Sequence, residues 1–117
     1  HILSNLYKYD TYIPTTFYYN PLSAETQKIE NEYRRWFKTD LQQTLPRFAL
    51  VGYDHANFFI QGLHLYGKAF GGSKGEKIVT PVQTVLYFEP IAGGGKQNAC
   101  FQLVHYKTNQ TIDSLTY

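Results

Sequence analysis

Cysteine, charge and long apolar runs are all scarce in this sequence, and each scarcity removes a class of protein. The single cysteine, Cys100, cannot form an internal disulfide. It lies in the apolar run Ala99-Cys100-Phe101, where a thiol is expected to be buried and inert. Charged residues make up 17% of the chain and leave a formal net charge of +2. Lysine and arginine are spread along the chain with no basic stripe, which argues against a nucleic-acid partner. No apolar stretch approaches the roughly 18 residues of a membrane-spanning helix, and no signal peptide opens the chain. It begins at His1-Ile2-Leu3 without a methionine, as a piece of a longer protein would.

What the sequence does have is rings. Eleven Tyr, eight Phe and one Trp make 17% of 117 residues. Such surfaces recur in sugar, peptide and nucleic-acid binders, because rings bury much area at little rotamer cost. The ordinary alternative is that they build the core and its polar edge. Length and a hydrophobic content of 43% fit one folded domain with a single modest core.

The first clear element is the β-branched and aromatic run from Tyr12 to Tyr19, a strand closed by Asn20-Pro21, with Pro14 marking its start or an edge position. Ser23 is placed as an N-cap and Glu25 in the first helical turn. Ile29, Tyr33, Trp36 and Phe37 form the apolar face of an amphipathic helix running to about Leu41. Leu45-Pro46 stops that helix. Phe48-Ala49-Leu50-Val51 reads as a short buried strand or turn. A second helix is expected from Asp54 to Ala69, with Ala56, Phe59, Ile60, Leu63 and Gly67 on one face, before an exposed loop, Gly71-Gly72-Ser73-Lys74-Gly75. Alternation at 85–90 and the run Ala99 to Tyr106 predict a C-terminal hairpin across Gly93-Gly94-Gly95, and a last short strand begins near Thr111-Ile112.

Few motifs survive inspection. Lys96 after the glycines is followed by Gln97-Asn98 and a strand, whereas a phosphate loop needs Ser or Thr and a helix. His55 and His64, nine apart, do not share a helix face, and no metal site is expected. Asn109-Gln110-Thr111 matches a glycosylation sequon but reads as a turn. Tyr53-Asp54-His55 looks like a catalytic kit, yet helix neighbours point about 100° apart, so Asp54 is read as the cap of the helix after Gly52.

Those residues also carry a resemblance. The pair Tyr33 and Trp36-Phe37, then Pro46, Ala49, Gly52-Tyr53-Asp54-His55-Ala56, Gly67-Lys68-Ala69-Phe70 and the tail Thr80-Pro81-Val82-Gln83-Thr84 with Tyr87-Phe88, Gly94-Gly95, Asn98 and Val104-His105-Tyr106 are similar to the C-terminal third of the type I periplasmic-binding-protein (receptor ligand-binding) family. The nearest likeness is to a divergent branch in bacterial envelope proteins, sometimes downstream of LysM peptidoglycan-binding modules. The resemblance implies an α/β, partial three-layer fold: strand, helix, short strand, helix and C-terminal hairpin. Residues 1–117 would then be part of a larger two-lobed domain.

It also implies a non-catalytic ligand-binding or sensing module of the periplasm or cell envelope, with no cofactor. Its ligand would be amino-acid-like or a cell-wall component, and Tyr53 and Asp54 would lie near the cleft. Strand edges and apolar faces left open lead to an expectation of self-association. A small independent α+β protein-interaction scaffold, recognised by an exposed aromatic patch, is the alternative. An enzyme would need Asp54 and His55 to converge in a concave pocket.

Overall fold

The computed structural model describes residues 2–44, 46–76, 78 and 81–117. His1, Leu45 of the expected helix stop and Thr80 of the closing segment lie outside them. The elements run α1 (Ile2–Lys8), β1 (Thr11–Thr15), α2 (Ala24–Phe37), α3 (Phe48–Tyr66) with a 3₁₀ turn at Gly67–Ala69, β2 (Phe88–Pro90), β3 (Lys96–Asn98), β4 (Gln102–Tyr106) and β5 (Ile112–Thr116). Helices and sheets are both present, so the chain is α/β.

Helix α2 starts where its sequence predicts. Ser23 is extended at φ −65°, ψ 132°, and its hydroxyl accepts from the Thr26 amide at 3.5 Å. The helix ends at Phe37, short of Leu41, because Lys38 turns left-handed at φ 57° and donates its amide to the Arg34 carbonyl.

The region after Pro46 differs from expectation. Residues 48–51 are the first turn of α3, not a strand or turn, and Gly52 lies inside that helix. Arg47 is the N-cap residue but offers no capping side chain. The amide side chain of Gln83 stands in: its Oε1 accepts from the Arg47 N–H at 3.1 Å, and its Nε2 donates to the Arg47 carbonyl at 3.4 Å. A cap supplied 36 residues away leaves no local signature. The inward line of α3 is Leu50, Asp54 and Gly62, while Phe59, Ile60 and Leu63 of the predicted apolar face are exposed.

The strands form a three-stranded sheet in the order β1-β4-β5 and a separate hairpin, β2-β3; every pairing is antiparallel. Pro14 sits on edge strand β1 opposite Leu103, a place where its missing N–H costs least. The strand expected over 12–19 ends at Thr15, and the one expected over 85–90 shrinks to Phe88–Pro90. Gly93, Gly94 and Gly95 all take positive φ and make the β2–β3 turn. The run 99–106 is not the hairpin's second strand. Asn98 Oδ1 accepts from the amides of Tyr87 and Cys100, both at 3.1 Å, which ends β3 and starts a new direction. Gln102–Tyr106 then pairs with β1 and β5 instead.

One sheet face carries Gln102 and Val104, both buried, opposite Thr116 and Ser114 of β5. Among the described residues, Leu41, Leu50, Cys100 and Val104 are the buried apolar side chains, joined by Thr26, Asp54, Gln83 and Gln102. Half of this core is polar, so hydrogen bonds within it decide the arrangement.

Candidate functional site

Asp54 stands well inside α3 and is almost fully buried. It does not cap its own helix. Its Oδ1 accepts from the Val82 amide at 2.8 Å, and its Oδ2 accepts from the amides of Gln83 at 2.9 Å and Thr84 at 2.8 Å. The chemistry expected of it, a carboxylate gathering free backbone amides, is present but serves a segment 28 to 30 residues later. Gln83 extends the junction: its carbonyl accepts from the Tyr18 amide at 3.0 Å, while its side chain holds Arg47. The Arg47 guanidinium in turn lies 4.3 Å from the Tyr19 ring centre, and Tyr19 donates to Glu30 of α2. Segment 81–84, α2, α3 and the strand exit are thereby tied at one point.

The pinned segment forms one wall of a cavity of about 230 Å³. Phe58, Ile78, Pro81, Leu86 and Tyr87 give it apolar sides, and Lys74 and Glu76 bring opposite charges to it. The Gly71–Glu76 loop is closed on itself. Glu76 Oε1 accepts from the amides of Gly71 at 3.0 Å and Ser73 at 3.1 Å and from the Ser73 hydroxyl at 2.9 Å. Desolvation opposes the charge on Glu76, but the Ser73 and Gly71 hydrogen bonds and the nearby Lys96 outweigh it and hold the carboxyl below its ordinary value. Its Oε2 is shielded from solvent without a hydrogen-bond partner among the described residues. Lys74 Nζ lies 5.3 Å from the centre of the Tyr87 ring. Sequence reasoning treats Lys74 as part of a flexible loop; the Ser73-x-x-Glu76 spacing, which returns a carboxylate to a preceding amide, is the signal it passes over.

The two residues expected near a ligand separate. Asp54 borders the cavity with both oxygens committed to the wall, whereas Tyr53 is 40% exposed and outside the lining. His55 is exposed on α3 and does not converge with Asp54. A phenol, carboxylate and imidazole do meet elsewhere, unheralded by sequence. His105 Nε2 lies 2.9 Å from Asp10 Oδ1, and its ring stacks on Tyr12 at 3.9 Å between centres, since Tyr12 and His105 are register partners. Cys100 is buried, and that burial pushes its thiol above the ordinary value, which disfavours the nucleophilic thiolate. Among the described residues no cluster of His, Cys, Asp and Glu could hold a metal ion, and no helix is long and apolar enough to cross a membrane. Comparison of the chain with protein-family models, with curated proteins and with solved structures finds no match in any of the three.

Proposed function

We propose that the chain is a non-catalytic ligand-binding or sensing module of a bacterial periplasmic or envelope protein, and that its ligand is amino-acid-like. The observation that carries this reading is the cavity beside Asp54. An apolar pocket whose described lining offers one cation, Lys74, and two carboxylates, of which Asp54 is committed to the wall and Glu76 is not, matches a zwitterion with an apolar side chain. Lys74 would take the carboxylate and the unpartnered Oε2 of Glu76 the ammonium group, with Phe58 and Ile78 against the side chain. Asp54 acts by holding the wall in place, and Tyr53 has no contact role in it. The resemblance of residues 33–37, 46–56, 67–70 and 80–106 to the C-terminal portion of periplasmic solute-binding domains supports the class and the envelope setting. Self-association belongs to the same reading, because several apolar faces stand open.

Calorimetric titration with L-leucine and with N-acetyl-leucinamide tests it. Leucine is expected to bind saturably and its doubly blocked derivative not to bind. Lys74→Ala or Glu76→Gln should weaken leucine binding by roughly tenfold, the equivalent of one charge-assisted contact. Equal binding of the two compounds, or of neither, overturns the reading.

A second reading, a protein-interaction scaffold, is favoured by one feature: Phe59, Ile60 and Leu63 of α3 are 45%, 63% and 59% exposed. Rings continue from Phe59 to Phe70 and Phe88 at 6.2 and 6.1 Å.

A further inference from the structure

On the other side of the pinned segment lies a second cavity, of about 270 Å³, between the strand exit and the β4–β5 face. Pro81, Val85 and Thr116 line both cavities, so segment 81–85 and the end of β5 form the partition between them. The second differs in chemistry. Among the described residues its lining has no charged side chain and is made largely of hydroxyls and amides: Tyr18, Asn20, Ser23, Gln102, Ser114 and Thr116.

Gln102 is the informative one. It is 5% exposed, lies on the inward sheet face, and its Oε1 has no hydrogen-bond partner among the described residues. A buried carbonyl oxygen without a donor costs about 1–3 kcal/mol, so a donor brought by a ligand or a water would be favoured there. Opposite it in register stands Thr116, with Ser114 two residues back on the same strand face. On the facing side Asn20 Oδ1 already accepts from the Leu22 amide, which leaves the Asn20 NH₂ as a donor. Burial, reinforced by Tyr106, Tyr7 and Asp113, raises the Tyr18 phenol above its ordinary value, so this ring stays neutral.

We propose that this cavity is a binding site for one ring of an uncharged, hydroxyl-rich ligand, a sugar. The want of charge disfavours phosphates, carboxylates and the zwitterion assigned to the neighbouring cavity. Hydroxyl and amide groups of both polarities suit a ligand that donates and accepts at adjacent positions, and an aromatic wall suits the apolar face of a pyranose. The volume falls just below the usual range of about 300–1,000 Å³ for ligand sites, which limits the occupant to a single ring. A sugar hydroxyl is the donor that Gln102 Oε1 lacks. This inference is independent of the Lys74–Glu76 cavity, and loss of amino-acid binding would leave it standing.

The test is a two-dimensional NMR titration of the whole chain with N-acetylglucosamine, glucose and, as an uncharged peptide control, N-acetyl-triglycine amide. A sugar is expected to shift the amide signals of Tyr18, Gln102 and Ser114 saturably. Gln102→Leu removes the unpartnered oxygen, so it should raise the melting temperature while weakening sugar binding by roughly tenfold. Ser114→Ala, a mild change at a half-buried site, should weaken binding at near-constant melting temperature and serves if Gln102→Leu fails to fold. The proposal is overturned by unchanged signals at high millimolar sugar, by shifts at these residues with the peptide alone, or by wild-type affinity in the soluble variants.

Discussion

A buried carboxylate is costly in a core of this size unless both oxygens are hydrogen-bonded, and Asp54 meets that condition with three backbone donors within 2.9 Å. Hydrogen bonds to a charged acceptor contribute about 1.5–3 kcal/mol each, more than neutral ones. Asp54→Ala would leave the amides of Val82, Gln83 and Thr84 facing a void, and is expected to cost about 3–5 kcal/mol. Asp54→Asn keeps the shape but exchanges one acceptor oxygen for an NH₂ group, which meets the backbone donors head-on. It should lose about 2 kcal/mol or more. Urea denaturation of the two variants measures both losses, and an Asn variant as stable as the parent would show that the carboxylate charge contributes nothing. Because Gln83 continues the same junction to Arg47 and Tyr18, its removal would not be additive with that of Asp54.

Two glycines in α3 separate what sequence reports from what packing decides. Helix propensity alone makes either Gly→Ala change stabilising by about 0.8–1 kcal/mol. A Cβ at Gly52 meets nothing within 4 Å, so Gly52→Ala should raise the melting temperature. A Cβ at Gly62 falls 2.3 Å from the Phe70 ring, which packs against Phe58 at 5.5 Å and Phe59 at 6.2 Å. Displacing that ring should cost about 1–3 kcal/mol, enough to cancel or exceed the propensity gain, so Gly62→Ala should lower the melting temperature. Thermal unfolding followed by circular dichroism compares the pair, and equal shifts would contradict the close approach. The same contrast explains which elements the sequence discloses. The α2 start is legible because Ser23 and its helix are adjacent, and β4 because its strand-forming residues are consecutive in the run that ends at Tyr106. The start of α3 is not, since Gln83 caps it from afar, and neither is the role of Asp54, whose partners are equally distant. The split between β3 and β4 hangs on one side chain, Asn98, which alternation does not register.

For the whole molecule, the quantities to compare are size and surface. The Cα radius of gyration is 16.4 Å, against about 13 Å for a compact chain of this length. The accessible surface is 8253 Å², about a quarter above the value that scaling with mass gives for a compact monomer of 13.6 kDa. The excess, about 1,700 Å² for one chain, is about twice the roughly 800 Å² that each partner buries in a stable interface. Its composition points the same way: Phe59, Ile60 and Leu63 form an exposed stripe on α3, and β1 and β5 are open sheet edges. With buried apolar side chains among the described residues reduced to Leu41, Leu50, Cys100 and Val104, covering that stripe gains more than tightening the interior. Sedimentation velocity across micromolar to high micromolar concentration is therefore expected to show reversible association. The double variant Ile60→Lys with Leu63→Lys should remain monomeric with an unchanged circular-dichroism spectrum, because neither side chain is buried within the chain. A parent protein that sediments as a monomer throughout, with the hydrodynamic size of a compact domain, would mean that the stripe folds inward on its own and that no second surface is needed to cover it.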